Sequence, residues 1–391
     1  MDSLAQHKVY KSVPITSVPK EEKILGSSFV FKQKANGKFK VRLVVQVDVQ
    51  ESGIDYGRSY ALVCRIGSVR TSLAIACEQG WPVHQMDVAV AFLQSAIDKD
   101  VWVKLAPGQD TNHPATGDIM VYKLECSLYA PSQSPVLWSD TMGDVLVVIG
   151  FRRTQSDPCV FTYGSGDTLV ISTLYVVDIL ISGKDPELVA GLKNELHDRL
   201  EMTDMAEVSL FRRMQVTRSY EEGTLTVSQK NYIKNILERI GMENCNPVST
   251  PGYGPELSTD QPADKLLGAA DTKLYQCITG SLLCLAQCTR YNLCCAVNQL
   301  TRAWSKSAQV HMTAAKHVLR YLRGTPDLPI VFKQGQFRIA AFADASFSAP
   351  PDNRKSTTGY LFFLGGGLIS FGTKTQVSHG PIDRRERTSS H

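Results

Sequence analysis

The segment Leu169 to Ser182, LVISTLYVVDILIS, constrains this chain more than any other. Branched and aromatic residues fill two short apolar runs, which favours strands. The segment therefore reads as a buried strand pair bent at Tyr175-Val176-Val177-Asp178. One carboxylate, Asp178, stands among apolar neighbours, where an unpaired charge is costly. Upstream, in HQMDVAVAFLQ, Asp87 is likewise the only acid of its run. Two isolated carboxylates on separate apolar strands can meet in space and hold a divalent metal, the arrangement that two-metal phosphoryl transfer uses. On these two segments alone, a pair of unrelated strand-end aspartates explains the pattern equally well.

At 391 residues the chain is long enough for two or three domains with cores of their own. Its 43% apolar and 20% charged residues are ordinary for a globular protein. No apolar run reaches the ~18 residues that a membrane span needs. The start, MDSLAQHKVYKSV, lacks the apolar core of a secretory signal. The expectation is an intracellular protein of the cytoplasm or nucleus, away from membranes, with its ten cysteines reduced. The net charge of +4 is mild, but its distribution is uneven. From Thr272 to Pro326 there is no carboxylate, against seven cations: Lys273, Arg290, Arg302, Lys306, Lys316, Arg320 and Arg323. Lys20 to Arg42 carries seven more cations against two glutamates. Such stretches suit polyanions, or are ordinary solvated faces.

Residues 1–19 are polar, carry two prolines and read as poorly ordered. FVFKQK, the turn Ala35-Asn36-Gly37 and KFKVRLVV form a predicted hairpin. On its return strand Lys40 and Arg42 are two apart and share a face, where they could hold a triphosphate or simply decorate an edge. A helix is predicted from Ser68 to Gly80, with Val69, Leu73 and Ala76 inward. Cys126 to Trp138, with two prolines, reads as an irregular turn around Gln133, and Thr141 to Ile149 as a helix. Asp185-Pro186-Glu187 opens another, with Leu188, Leu192, Leu196 and Leu200 as its inner stripe. Strands are predicted at Phe211–Ser219 and Thr224–Ser228, and a helix after a Ser228 cap that ends at Gly241. Pro247 to Ala263 is a linker. Leu274 to Trp304 reads as mostly helical with five small buried thiols, whose spacing does not suit zinc. Val310 to Leu322 is a basic amphipathic helix, and Ile330 to Val377 returns to short strands.

The ordered series VFKQKANGKFKVRLVVQ, SGIDYGRSY, QMDVAVAFLQ, KLECSLYAPSQSPVLW, GFRRTQSDPCVF, LYVVDILISG, VSQKNYIKNIL, ITGSLLCLAQCTR, HMTAAKHVLRYLRGT and ADASF…STTGYLFFLGGGLIS resembles the copia-type LTR retrotransposon Pol polyprotein, from about Lys23 to Val377. The resemblance implies an α+β chain: a right-hand polymerase with fingers and palm at 20–200, a thumb-like region and linker at 201–262, a helical connection at 263–335 and a truncated ribonuclease H-like fragment at 336–391. It implies an RNA-directed DNA polymerase of a transposable element, acting with Mg2+ or Mn2+ on an RNA or DNA template-primer and dNTPs.

By the same resemblance, Asp87 stands at the first metal carboxylate and Asp178 at the second aspartate of the central tyrosine-x-aspartate-aspartate motif. The first of those aspartates is replaced by Val177. Lys40, Arg42 and Gln133 fall where the family meets the nucleotide, and Asp344 at the first metal aspartate of ribonuclease H. Lys273, Arg290, Arg302, Lys316, Arg320 and Arg323 are the expected nucleic-acid contacts. Three departures point to decay. The pocket turn, Ala130 to Val136, lacks the family's glycine and both cations. The grip element reads Phe211-Arg212-Arg213. The tail HGPIDRRERTSSH reads as a frame change or truncation. With successive strand residues on opposite faces, Asp178 is not expected to replace the missing ligand directly. The polymerase is expected to be impaired, the alternative being a non-catalytic nucleic-acid-binding relic.

Overall fold

In the computed structural model the described residues are 8–33, 37, 39–46, 61–106, 108–109, 111–113, 116–128, 133–254, 257–335, 337–346 and 356–376. The chain divides into two units, Met1–Arg65 with Pro82–Glu207, and Ile66–Trp81 with Val208–His391.

The first unit carries two sheets. Five strands, β1 (Tyr10–Pro14), β2 (Ile24–Gln33), β3 (Phe39–Gln46), β5 (Trp102–Lys104) and β6 (Met120–Leu124), lie in the order β1-β6-β5-β2-β3. Their core gathers Val9, Leu25, Leu43, Val45, Val103, Tyr122 and Leu124. Within the start expected to be poorly ordered, residues 1–7 lie outside the described residues and Tyr10–Pro14 form strand β1. Tyr10 to Pro14 pair antiparallel with Leu124 to Met120, and Val9 is fully buried, so an apolar anchor orders a polar segment. The hairpin of β2 and β3 has the expected register, Gln33 opposite Phe39 and Val30 opposite Arg42. Ala35 and Asn36 of its turn lie outside the described residues, as does the side chain of Lys40.

The second sheet of this unit has six strands in the order β11-β4-β10-β9-β8-β7, formed by β4 (Val83–Val88), β7 (Arg152–Arg153), β8 (Val160–Tyr163), β9 (Val170–Tyr175), β10 (Asp178–Gly183) and β11 (Met202–Glu207). Strands β9 and β10 are the two apolar runs of the central segment, and most of their residues are buried. Antiparallel β11 extends the sheet to Glu207, past the expected palm boundary at 200, because Met202 to Asp204 pair with Val88 to Met86. The helix Ser134–Ile149 begins eight residues after Cys126, where an irregular turn was expected. Pro135 occupies its first turn, a place where the missing N–H costs nothing. In the helix Pro186–Arg199 the buried stripe is Val189, Leu192 and Leu196, with Leu188 only half-buried. The 3.6-residue period rotates a strict four-residue repeat off the core.

The second unit opens with the helix Ile66–Gln79, whose Val69, Leu73 and Ala76 are buried as the sequence predicts. A four-stranded sheet follows: β12 (Leu210–Phe211), β13 (Met214–Ser219), β14 (Thr224–Ser228) and β15 (Ile330–Lys333), in that order. Four helices, Lys230–Ile240, Ala269–Cys288, Cys294–Arg302 and Gln309–Gly324, share one core around Ile236, Tyr275, Leu282, Val297 and Leu319. The five cysteines of residues 277–295 are not the fully buried thiols expected. Cys277 and Cys295 are exposed and the other three half-buried. Three antiparallel strands end the described chain, β16 (Ile339–Ser346), β17 (Thr357–Leu364) and β18 (Gly367–Thr375). Strand β18 packs on the helix Ile66–Gln79, tied by the buried Arg70, whose Nε donates to Ile369 O at 2.8 Å. No helix among the described residues is long and apolar enough to cross a membrane.

Candidate active site: a carboxylate pair at a strained turn

Strand β4 pairs antiparallel with β10 so that Asp87 stands directly opposite Asp178. Directly opposed residues of an antiparallel pair face the same side of the sheet, with Cβ atoms roughly 4.5–5.5 Å apart. Asp178 also opposes Tyr175 on β9, and Asp87 opposes Thr203 on β11. A row of Thr203, Asp87, Asp178 and Tyr175 therefore crosses four strands on one face. The two carboxylates on separate apolar strands, read from the sequence as able to meet in space, therefore do share one face of neighbouring strands. Alternation holds along a strand, but β10 begins at Asp178 and Val177 belongs to the turn before it.

That turn has two residues, Val176 and Val177, between the paired Tyr175 and Asp178. Val176 lies in the left-handed region at φ 59°. A β-branched residue is a genuine outlier there, at a cost of order 1–3 kcal/mol, and persists only where its surroundings over-determine it. Two contacts do so. The Trp138 indole Nε1 donates to Val176 O at 2.5 Å, and Val88 N donates to Val177 O at 3.0 Å. Trp138 is 1% exposed, on the helix Ser134–Ile149.

Two amides that the sequence did not single out support this region, one on the Asp178 carboxylate and one on backbone groups. Gln85, two residues before Asp87 and therefore on its face, is 7% exposed and donates through Nε2 to Asp178 Oδ1 at 3.0 Å. Gln94 closes the segment after Asp87: its Nε2 donates to Ala89 O at 2.7 Å and its Oε1 accepts from Glu201 N at 2.7 Å. On the opposite face of β4, burial and then Lys193 keep the His84 imidazole below its ordinary range. The only sequence signal for Gln85 was its two-residue spacing from Asp87. For Gln94 and Trp138 there was none, because their partners are distant backbone groups.

Other candidates are placed separately. Gln133 precedes the helix Ser134–Ile149, is 2% exposed, and among the described residues neither amide atom finds a hydrogen-bond partner. Ala130, Pro131 and Ser132 beside it lie outside the described residues. Arg42 is half-buried on β3.

In the second unit, Arg290 is not a surface cation. It is 1% exposed, and Nη1 and Nη2 donate to Thr325 O at 2.7 Å and Thr325 Oγ1 at 2.8 Å. Arg320 and Arg323 are also committed, through Nε to Asn246 O and Glu243 O at 2.7 and 2.6 Å. Thr325 caps the C-terminus of the helix Gln309–Gly324, where free carbonyls attract a guanidinium, whereas Glu243 and Asn246 lie in the loop after the helix Lys230–Ile240. Arg302 is half-buried, whereas Lys273 and Lys316 are exposed. Asp344 is exposed on β16 and lines a cleft of about 410 Å³ with Tyr291, Phe342, Tyr360 and Phe371. Asp383 and Glu386 lie outside the described residues. Among the described residues, no group of three or more His, Cys, Asp or Glu is gathered for a metal ion.

Residues 8–253 match the family described as reverse transcriptase (RNA-dependent DNA polymerase). The chain belongs to the reverse transcriptase family. It is a copia-type retrotransposon Pol fragment by its relatives. It is 34% identical, over 96% of its length, to the retrovirus-related Pol polyprotein from transposon TNT 1-94 of Nicotiana tabacum, of which it covers 28%. It is 34% identical, over 92% of its length, to the corresponding polyprotein from transposon RE1 of Arabidopsis thaliana, of which it covers 24%. This reverse transcriptase fragment thus spans about a quarter of the length of these relatives. Among solved structures, the foamy viral protease-reverse transcriptase in complex with ds DNA is similar at TM-score 0.47 and 13% identity, covering 96% of this chain and 54% of that one. The described residues mix helix and sheet in both units, as an α+β reverse transcriptase should.

Proposed function

We propose that the fragment carries an RNA-directed DNA polymerase site of the copia type, with nucleotidyl transfer weakened at Val177. In this reading residues 20–207 act as fingers and palm, and the substrates are a template-primer and dNTPs. The observation that carries the reading is the opposed pair Asp87 and Asp178 beside a strained turn, within a family of polymerases.

The donor set suits a hard cation. Mg2+ is commonly held by one or two carboxylates, with water and substrate phosphates completing its shell. Asp87 and Asp178 would hold such an ion, or Mn2+, and Gln85 fixes the orientation of Asp178. Bound there, the ion supplies charge for the triphosphate and the primer hydroxyl. Val177 contributes no ligand where the family has the first aspartate of its pair, so one ion is served better than two. Gln133, with a buried and unpartnered amide, suits a ligand that brings its own donors and acceptors, as a nucleotide does.

The test is primer extension on a homopolymer RNA template with Mg2+ or Mn2+, comparing the protein with V177D and D87N. Weak extension that V177D raises at least about tenfold, the equivalent of ~1.4 kcal/mol of barrier, and that D87N removes, is the expected result. Extension indifferent to both substitutions would refute the assignment.

The non-catalytic binding reading is narrowed to the exposed Lys273, Lys306 and Lys316 of the acid-free stretch. Of the acid-free stretch, Arg290, Arg320 and Arg323 are engaged with the protein's own backbone or side chains. Asp344 is assigned a remnant role only, and no cleavage of an RNA–DNA hybrid is expected from it.

A further inference from the structure

Three features of the palm turn call for a common explanation. A β-branched residue, Val176, occupies the left-handed region at φ 59°. Its carbonyl oxygen receives the indole N–H of Trp138 at 2.5 Å. The residue on the far side of the turn is Asp178, which begins β10 directly opposite Asp87. A buried indole N–H normally finds a partner, but here it takes the carbonyl of the one strained residue in the hairpin. Strain of this kind relaxes unless something holds it. The other tie, Val88 N to Val177 O, fixes the next carbonyl along, one residue after the strained one.

We propose that Trp138 is a positioning residue: its N–H holds the Val176 carbonyl, keeps the turn left-handed, and so presents Asp178 opposite Asp87. The helix Ser134–Ile149 thereby sets the geometry of a carboxylate on another element. The metal-binding part of this proposal rests on the reading of Asp87 and Asp178 as ligands; the turn-holding part does not. If the turn relaxes, Asp178 loses its register with Asp87 and with Gln85, while the sheet from Ile179 onward keeps its buried side chains.

The test uses the full chain and two substitutions. W138F keeps an aromatic ring in the buried site and removes the donor. V176G removes the strain, since glycine adopts positive φ freely. Amide hydrogen exchange across residues 175–180 should quicken about tenfold in W138F, the loss expected for one hydrogen bond. It should return towards the original rate in the W138F/V176G double variant. Mn2+ affinity, read by electron paramagnetic resonance, should fall in W138F, recover in the double variant and vanish in D87N.

A Trp138 that merely fills space would lower the melting temperature of W138F, leave exchange at 175–180 unchanged, and gain nothing from V176G; that result overturns the proposal. Exchange that behaves as expected, with Mn2+ binding absent from the protein or indifferent to D87N, upholds the turn-holding role and refutes the carboxylate-pair reading instead.

Discussion

The side-chain amide of Gln85 and the carboxylate of Asp178 meet at 3.0 Å across two strands, one register step from Asp87. Hydrogen bonds to charged groups contribute about 1.5–3 kcal/mol, and a half-buried carboxylate deprived of its donor turns elsewhere. Q85A is therefore expected to weaken Mn2+ binding about tenfold while leaving the far-ultraviolet circular dichroism unchanged. Q85E, which sets a third carboxylate beside Asp87 and Asp178, should change binding in the other direction. Titration of Mn2+ into the three proteins checks both.

The cations of the second unit should separate by how they are used. Lys273 and Lys316 are exposed, so K273E and K316E should each flatten the log–log salt dependence of duplex binding by about one unit. R290Q should leave that slope alone and destabilise the fold, because Arg290 is 1% exposed and its donors meet Thr325. Filter binding at several salt concentrations, beside urea denaturation, distinguishes the two behaviours.

Arg70 ties three segments of the second unit. Its Nε donates to Ile369 O, and Nη1 to Gln287 O at 2.9 Å and to Cys288 O at 2.6 Å. Burial pulls its pKa down to about 10, and it remains a cation at neutral pH. R70A should destabilise the unit by about 1–3 kcal/mol for each buried carbonyl it leaves without a donor. R70K should rescue little, because a single ammonium cannot span the same acceptors. The denaturant midpoint of each variant is the measurement.

Cys284 should alkylate as a thiolate near neutral pH. A hydrogen bond from Cys288, and then Arg213, pull its pKa down to about 6 against the opposing effect of burial. Arg213 Nη1 lies 3.9 Å from the sulfur and Gln229 Nε2 4.0 Å, with Tyr232 bonded to the same guanidinium. Because the thiolate forms as pH rises through about 6, labelling by iodoacetamide should level off above pH ~7. An ordinary thiol, with a pKa near ~8.5, would keep gaining. R213Q should move the rise to higher pH, as peptide mass mapping across pH would show.

Much of this arrangement was legible in the sequence where apolar period decides it. LVISTLY and DILIS had one way to be buried, and the stripe Val69, Leu73 and Ala76 fixed its helix. Register between distant strands is set by twist and by pairing that no local pattern encodes. The meeting of Asp87 and Asp178 on neighbouring strands was therefore expected, but not the residue-for-residue register that sets them directly opposite. The turn decides that register: Val176 and Val177 both lie in it, so β10 begins at Asp178. Charge was the least readable property. An arginine looks like any surface cation until its backbone acceptors, here Thr325 O, Asn246 O and Glu243 O, are in view.

The chain leaves its first unit after Arg65, folds the 14-residue helix Ile66–Gln79 with the second, and returns at Pro82. A premature stop after Glu207 would remove most of the second unit while keeping every residue of the first. It would leave an orphaned helix spliced into that unit, with Val69, Leu73 and Cys77 stripped of β14, β15 and β18 and turned to water. Loss of the downstream coding sequence therefore reaches back into residues translated long before it.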